Sequence, residues 1–232
     1  MPSKIVTTSM YNMEDRSSRD RLLDATRDLM WDRGYSATSP RAILAGAGVG
    51  QGSMYHHFSS KEDLAAQALS GTASRLVDAA SEVLGASGTA VGRLIGYLER
   101  PRDALRGCPV GRMAGDADVI DSPALHAIVR DTFDRVRVMM TEVIAEGVDT
   151  GELDPETEPA ALADTVLAVI QGAYVLARTA GDTAPFDRAV NGAVALLLAA
   201  RPDQTSPDQT SKEPRDDPHR TDDVPVPDRP AR

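Results

Sequence analysis

The chain has 232 residues, 41% apolar, 26% charged and only 4% aromatic, which is room for one large or two small domains with a genuine core. Its formal charge of -10 excludes a protein that coats nucleic acid indiscriminately. The single cysteine, Cys108, excludes an internal disulfide and fits a reducing cytosol.

Few aromatic residues and many alanines favour helices over strands. There is no unbroken apolar run of about 18 residues and no apolar signal-peptide core near the start, so a soluble, cytoplasmic, all-α protein without membrane contact is expected. Charge is unevenly spread. Residues 1–70 carry eight Lys/Arg and eight Asp/Glu, whereas 71–200 carry eleven against nineteen. A phosphate backbone would repel the N-terminal part least.

Residues 1–16 show no periodicity and read as a flexible arm. From Ser17, the residues Leu22, Ala25, Thr26 and Leu29 recur at helical spacing until Gly34 stops the run, giving a helix of about four turns. Ser39-Pro40 supplies an N-cap and a first-turn proline for a second, short helix with Ile43, Leu44 and Ala47 inside. Gly46, Gly48 and Gly50 break that helix, and Gln51 to Phe58 has the length of a third, roughly two-turn one. Two short helices joined by a glycine turn make a helix-turn-helix. Ser60 with Asp63 fits a capping signature, opening a fourth helix that runs to Leu84 through Leu64, Ala68, Leu76 and Val83.

Beyond the glycines at 85 and 88, residues 89–100 form a helix with Val91, Leu94, Ile95 and Leu98 on one side, ended by Pro101. Residues 108–117 read as short helical or irregular chain. Ser122-Pro123 starts a long helix through Leu125, Val129, Phe133, Val136, Met140 and Ile144, ending at 147–151. The last two helices, 158–180 and 185–200, are apolar without a clear polar face, so something must cover them. From Arg201 onward there are seven prolines in 32 residues and the repeat Pro-Asp-Gln-Thr-Ser-Pro-Asp-Gln-Thr-Ser, the composition of a disordered tail.

The segments Leu22, Ala25, Leu29, Gly34, Tyr35, then Ser39-Pro40-Arg41, Ala47-Gly48-Val49, Gly52-Ser53-Met54-Tyr55-His56-His57-Phe58 and Ser60-Lys61-Glu62-Asp63-Leu64 together resemble the TetR/AcrR-type transcriptional regulators. The piece Gly107-Cys108-Pro109-Val110-Gly111 is similar to a segment of one multidrug-type subgroup. The resemblance implies a three-helix helix-turn-helix DNA-binding domain at 17–63, a C-terminal helical ligand-binding and dimerisation domain at 64–200, about nine helices in all, and a tail at 201–232. It also implies a dimeric repressor released from its operator by a small molecule.

Carried over residue by residue, the resemblance implies that Ser39 caps the second helix and faces a phosphate, and that Arg41 meets backbone or a base edge. Gln51 would read adenine, Gly52 would let the backbone approach, and Ser53 would reach a base or phosphate. Tyr55, His56, His57 and Lys61 would complete the DNA-binding set. Val49, Met54 and Phe58 are expected in the core. Relatives often carry serine at Gly50 and a basic residue at Gln51, so affinity is expected to lean on Arg16, Arg19 and Arg21.

Nothing in the pattern supplies enzyme chemistry. There is no acid-base pair, partnered nucleophile, phosphate loop or cofactor motif, so no enzyme and no cofactor is expected. His56 and His57 are sequence neighbours that point about 100° apart, and no further ligand completes a metal site. Cys108 reads as a small buried apolar residue. Tyr97, Cys108, Met113, Phe133, Met140 and Tyr174 are the candidates to line a pocket for the unknown inducer. Arg178 lies in an apolar helix and is expected to reach an interface rim or a carboxylate, Asp164 or Asp182. The apolar pair within 158–200 is expected to form a homodimer that sets two recognition helices about 34 Å apart on palindromic double-stranded DNA. The alternative is a helical ligand-binding or interaction protein of the same fold without sequence-specific DNA binding.

Overall fold

A computed structural model of the chain describes residues 17–201. The expected arm, including Arg16, and the tail from 202 onward lie outside the described residues. Among the described residues there are nine α-helices, a 3-10 turn and no strand.

Most helices begin where a side chain can take up a free N–H of the first turn. The Ser17 hydroxyl accepts from Asp20 N at 3.1 Å and opens α1, Ser18–Arg33. Ser39 accepts from Ala42 N at 3.2 Å and opens α2, Pro40–Ala47, with proline in the first turn where its missing N–H costs nothing. Gly50 opens α3, Gln51–His57, without any side-chain cap. Ser60 accepts from Asp63 N at 3.0 Å for α4, Lys61–Leu84, and Thr89 from Gly92 N at 3.0 Å for α5, Ala90–Glu99. After the 3-10 turn Gly111–Gly115 and the short α6, Ala117–Asp121, Ser122 accepts from Leu125 N at 3.2 Å to start α7, Pro123–Asp149. The last pair is α8, Pro159–Ala180, capped by Glu158, and α9, Ala184–Ala199.

Three apolar clusters stack along the molecule. Leu22, Leu23, Ile43, Ala47, Met54, Phe58, Leu64 and Ala68 hold α1, α2 and α3 against the first turns of α4. A middle cluster joins Met30 of α1 and Leu69 of α4 to Val110, Met113 and Leu125. The largest, from α4, α5, α7, α8 and α9, forms the core of the far end. The long helix α4 contributes to all three, so it spans from the helix-turn-helix to the helices of the far end.

The helix α8 meets the length and hydropathy of a membrane span, at mean hydropathy 1.7 over its best 18 residues. Asp164 and Arg178 interrupt its apolar run. It packs on α7 and α9, yet it leaves Val175 and Leu176 exposed, and α9 leaves Leu196 and Leu198 exposed. Arg178 is exposed as well. Of the two carboxylates expected for it, Asp164 lies 3.9 Å from Arg137 instead, and no ion pair joins Arg178 to Asp182 among the described residues. The reason is geometric: this end of α8 turns part of its apolar surface outward, and Arg178 shares that outer side.

Candidate nucleic-acid interface and regulatory cavity

The turn before α3 rests on Gly48, which takes the left-handed conformation at φ 62°, ψ 39°, cheap only for glycine. Val49 N then bonds Leu44 O at 3.2 Å, folding the chain back so that α3 crosses the end of α2. Within α3, Met54 is completely buried, and Phe58 just beyond it is 2% exposed. At 100° per residue, Gln51, Gly52, Tyr55 and His56 share an arc of about 140° on the other side, and all four are exposed. Tyr55 stands out with 58% of its surface in solvent. Among the described residues, a methyl group added at Gly52 would meet nothing within 4 Å beyond its chain neighbours and the backbone of its own helix. Internal packing therefore does not demand glycine there.

A second concave feature lies behind this head. A cavity of about 690 Å³ is lined by α1 and α2, by α4, by the segment 100–109, and by α7 and α8. Its inner wall is Phe133, Val136, Leu167, Ile170 and Tyr174, and its other wall carries Trp31 together with five arginines and three aspartates. The segment that lines the cavity also grips α1. Trp31 Nε1 donates to Gly107 O at 2.9 Å, and the Arg106 guanidinium lies 3.9 Å from the Trp31 ring. That guanidinium pairs with Asp28 at 2.9 Å and Asp32 at 2.7 Å. A little further on, Asp116 accepts from Ser36 N at 2.9 Å in the loop after α1.

Comparison with known proteins fits both halves. Residues 22–68 match the family model for bacterial regulatory proteins of the tetR family, and residues 89–193 match that of the tetracyclin repressor-like C-terminal domain. The chain belongs to the tetR family. Over 183 residues this tetR-family regulator is 29% identical to the HTH-type transcriptional repressor DhaR of Mycobacterium sp. (strain GP1), covering 78% of this chain and 92% of the relative. It is 27% identical over 144 residues to the HTH-type transcriptional repressor KstR2 of Mycobacterium tuberculosis, covering 61% and 72%. A TetR transcriptional regulator from Chloroflexus aurantiacus superimposes with a TM-score of 0.67 at 26% identity, over 83% of this chain and 98% of the other. The protein is thus a DNA-binding transcriptional regulator of the helix-turn-helix type, and its relatives are regulators rather than enzymes.

Among the residues expected at the DNA, Ser39, Arg41, Gln51, Gly52, Tyr55 and His56 are exposed on the regulator, and Ser53 is half-buried. Two differ from expectation. His57 is half-buried, with its Nε2 2.8 Å from the Ser18 hydroxyl at the start of α1. Lys61 donates from Nζ to Tyr35 O at 3.0 Å and lies 4.0 Å from the Tyr35 ring. Burial lowers the Lys61 ammonium below its ordinary value, against the opposing pull of Asp118 and Asp116. Both side chains brace the domain internally, because the residues they meet come from α1 and the loop after it. Arg19 likewise bonds Gln67 and lies 5.5 Å from the Phe58 ring, while Arg21 lines the cavity.

Among the pocket candidates, Tyr97, Cys108, Phe133 and Tyr174 line the cavity. Met113 and Met140 do not, since both are completely buried inside the middle and far clusters. Cys108 is buried as expected, and its Sγ accepts from Gly111 N at 3.1 Å. Burial pushes the Tyr174 phenol up to about 12. Sequence reasoning missed the arginines of the cavity, because they come from α1, α4 and the segment after α5, whose proximity no local pattern records. Among the described residues no group of three His, Cys, Asp or Glu could hold a metal ion.

Proposed function

We propose that the protein is a cytoplasmic, homodimeric repressor that reads a palindromic operator through α3 and releases it when a small molecule enters the 690 Å³ cavity. The exposed arc of α3 carries this reading. Gln51 presents an amide suited to adenine in the major groove, the open side of Gly52 admits close approach of the DNA backbone, and Tyr55 and Ser53 offer hydroxyls to phosphates. Ser39 and the amides of the first turn of α2 face a phosphate, with Arg41 beside them. His56 is an additional contact from the same arc. Residues 17–63 are assigned to DNA binding and 64–200 to ligand binding and dimerisation.

The exposed apolar residues Val175 and Leu176 of α8 and Leu196 and Leu198 of α9 support a second copy as the cover for these helices, in a four-helix bundle. Release follows from the shared segment 100–109. A ligand against it acts on the same stretch that holds Trp31, Asp28 and Asp32 of α1, so α1 and the head move with it. DNA and ligand then favour different states of one equilibrium. Selection from random duplexes tests this: enrichment of a palindrome is expected, and enrichment of nothing above background overturns the DNA-reading assignment.

A further inference from the structure

The cavity has an unusual charge balance. Arg21, Arg27, Arg75, Arg100 and Arg102 line it against Asp24, Asp28 and Asp103. The three carboxylates are engaged: Asp24 pairs with Arg27, Asp28 with Arg106, and Asp103 accepts from Arg106 N at 3.0 Å. Of the five arginines only Arg27 has a carboxylate partner among the described residues, and Arg100 and Arg102 stand out by sharing one ring. Among the described residues, neither has a carboxylate within ion-pair distance.

Both guanidiniums crowd one aromatic ring. Arg100 lies 4.9 Å and Arg102 5.1 Å from the centroid of Tyr97. Arg102 donates to the carbonyls of Tyr97, Leu98 and Arg100, which orients the fork but neutralises no charge. The Nε–H groups of Arg100 and Arg102 are buried and find no acceptor among the described residues, an arrangement that costs free energy unless something accepts from them. Burial, and then the neighbouring Arg100 charge, lower the Arg102 guanidinium from its ordinary value. Two like charges held together beside an apolar wall of Phe133, Val136, Leu167 and Ile170 make a receptor of mixed character.

We infer that the ligand of this cavity is an amphipathic organic oxyanion, a carboxylate or phosphate head held by Arg100 and Arg102 with an apolar body against Phe133, Val136, Leu167 and Ile170. The inference rests on the ligand-released repressor reading above and names the chemical class of its ligand. Each guanidinium keeps an unpartnered Nε–H, and a planar guanidinium edge suits a two-oxygen acceptor. The cavity volume is of the size that holds a small organic molecule.

The test uses four decyl probes below their micellar concentrations: decanoate, decyl phosphate, 1-decanol and decyltrimethylammonium. Binding is measured by equilibrium dialysis, and location by fluorescence of Trp31, the only tryptophan of the chain and a cavity residue. The two anions are expected to bind roughly tenfold or more tighter than the alcohol, with the tighter of the two identifying the head group. Arg100→Gln should erase that preference while leaving decanol binding intact. Arg102→Lys, which keeps the charge and loses the fork, should retain a reduced preference. Decanol or the ammonium probe binding as tightly as the anions overturns the oxyanion assignment while leaving a ligand cavity standing. An anion preference that Arg100→Gln does not change in a protein still binding decanol overturns it too. No binding by any of the four removes the ligand-cavity reading itself, so the two failures are told apart.

Discussion

The outward arc of α3 and the cavity behind it divide the protein's cations unequally. The arc presents Gln51, Gly52, Tyr55 and His56, and α3 contains no lysine or arginine. The cavity is lined by five arginines. A DNA-binding protein of average design would have the reverse distribution, because phosphate neutralisation supplies much of the affinity. Here Arg21 and Arg27 of α1 line the cavity, Lys61 lies on Tyr35 and Arg19 lies over Phe58. The balanced charge of residues 1–70 therefore overstates what the reading face can offer a phosphate. On the reading proposed above, such a face is expected to read by hydrogen bonds and shape and to gain tight binding from a second copy.

The comparison breaks most completely if the shared scaffold fails. Phe58 is 2% exposed in the cluster that holds α1 to α4 together, so Phe58→Ala should cost about 3–5 kcal/mol. Urea denaturation followed by circular dichroism should show the whole helical signal lost at a lower midpoint. An unchanged midpoint with DNA binding lost would mean that the reading head unfolds independently of the rest.

Next in size is the need for two copies. Leu196 is 71% exposed on α9, so Leu196→Asp should leave the stability of a single chain within about 0.5 kcal/mol. Sedimentation at micromolar concentration should nevertheless give a monomer mass, and affinity for a palindrome should fall roughly a hundredfold as the linked second site is lost. A dimer mass in this variant would place the interface elsewhere. Smaller again is the direct readout: Gln51→Ala with Tyr55→Phe should weaken operator binding by about 1–3 kcal/mol without changing the unfolding midpoint. Equal affinity in a titration at fixed salt would contradict the site.

These expectations draw on what the chain states locally and on what only folding brings together. Ser39 and Ser60 announce helix starts because a cap acts within three residues, and each forms the expected bond; Ser17 and Ser122 cap in the same way. Met54 and Phe58 are legible as core for the same reason of short-range periodicity. The arginine wall of the cavity is not legible, since Arg21, Arg75 and Arg102 are far apart in the chain and line one void only across α1, α4 and the segment after α5. Periodicity marks Phe133 and Met140 of α7 alike as inward-facing, but cannot tell a wall that faces a void from one that faces another side chain. For Arg178 the expected carboxylate Asp164 lies by Arg137 instead, because α8 turns part of its apolar surface, and Arg178 with it, to solvent.

The finest distinction between the two surfaces lies in single charges, and salt dependence reads it. Each phosphate contact adds about 0.9 to the slope of log affinity against log salt. Arg41 is exposed beside the start of α2, so Arg41→Gln should lower the slope by about that amount. Lys61 is occupied by the Tyr35 carbonyl and ring, so Lys61→Gln should leave the slope unchanged and act on stability alone. A slope lowered equally by both would show that Lys61 leaves Tyr35 for a phosphate on binding. The reading face would then acquire its missing cation only in the complex, and the contact that braces the loop after α1 would be exchanged for one to DNA.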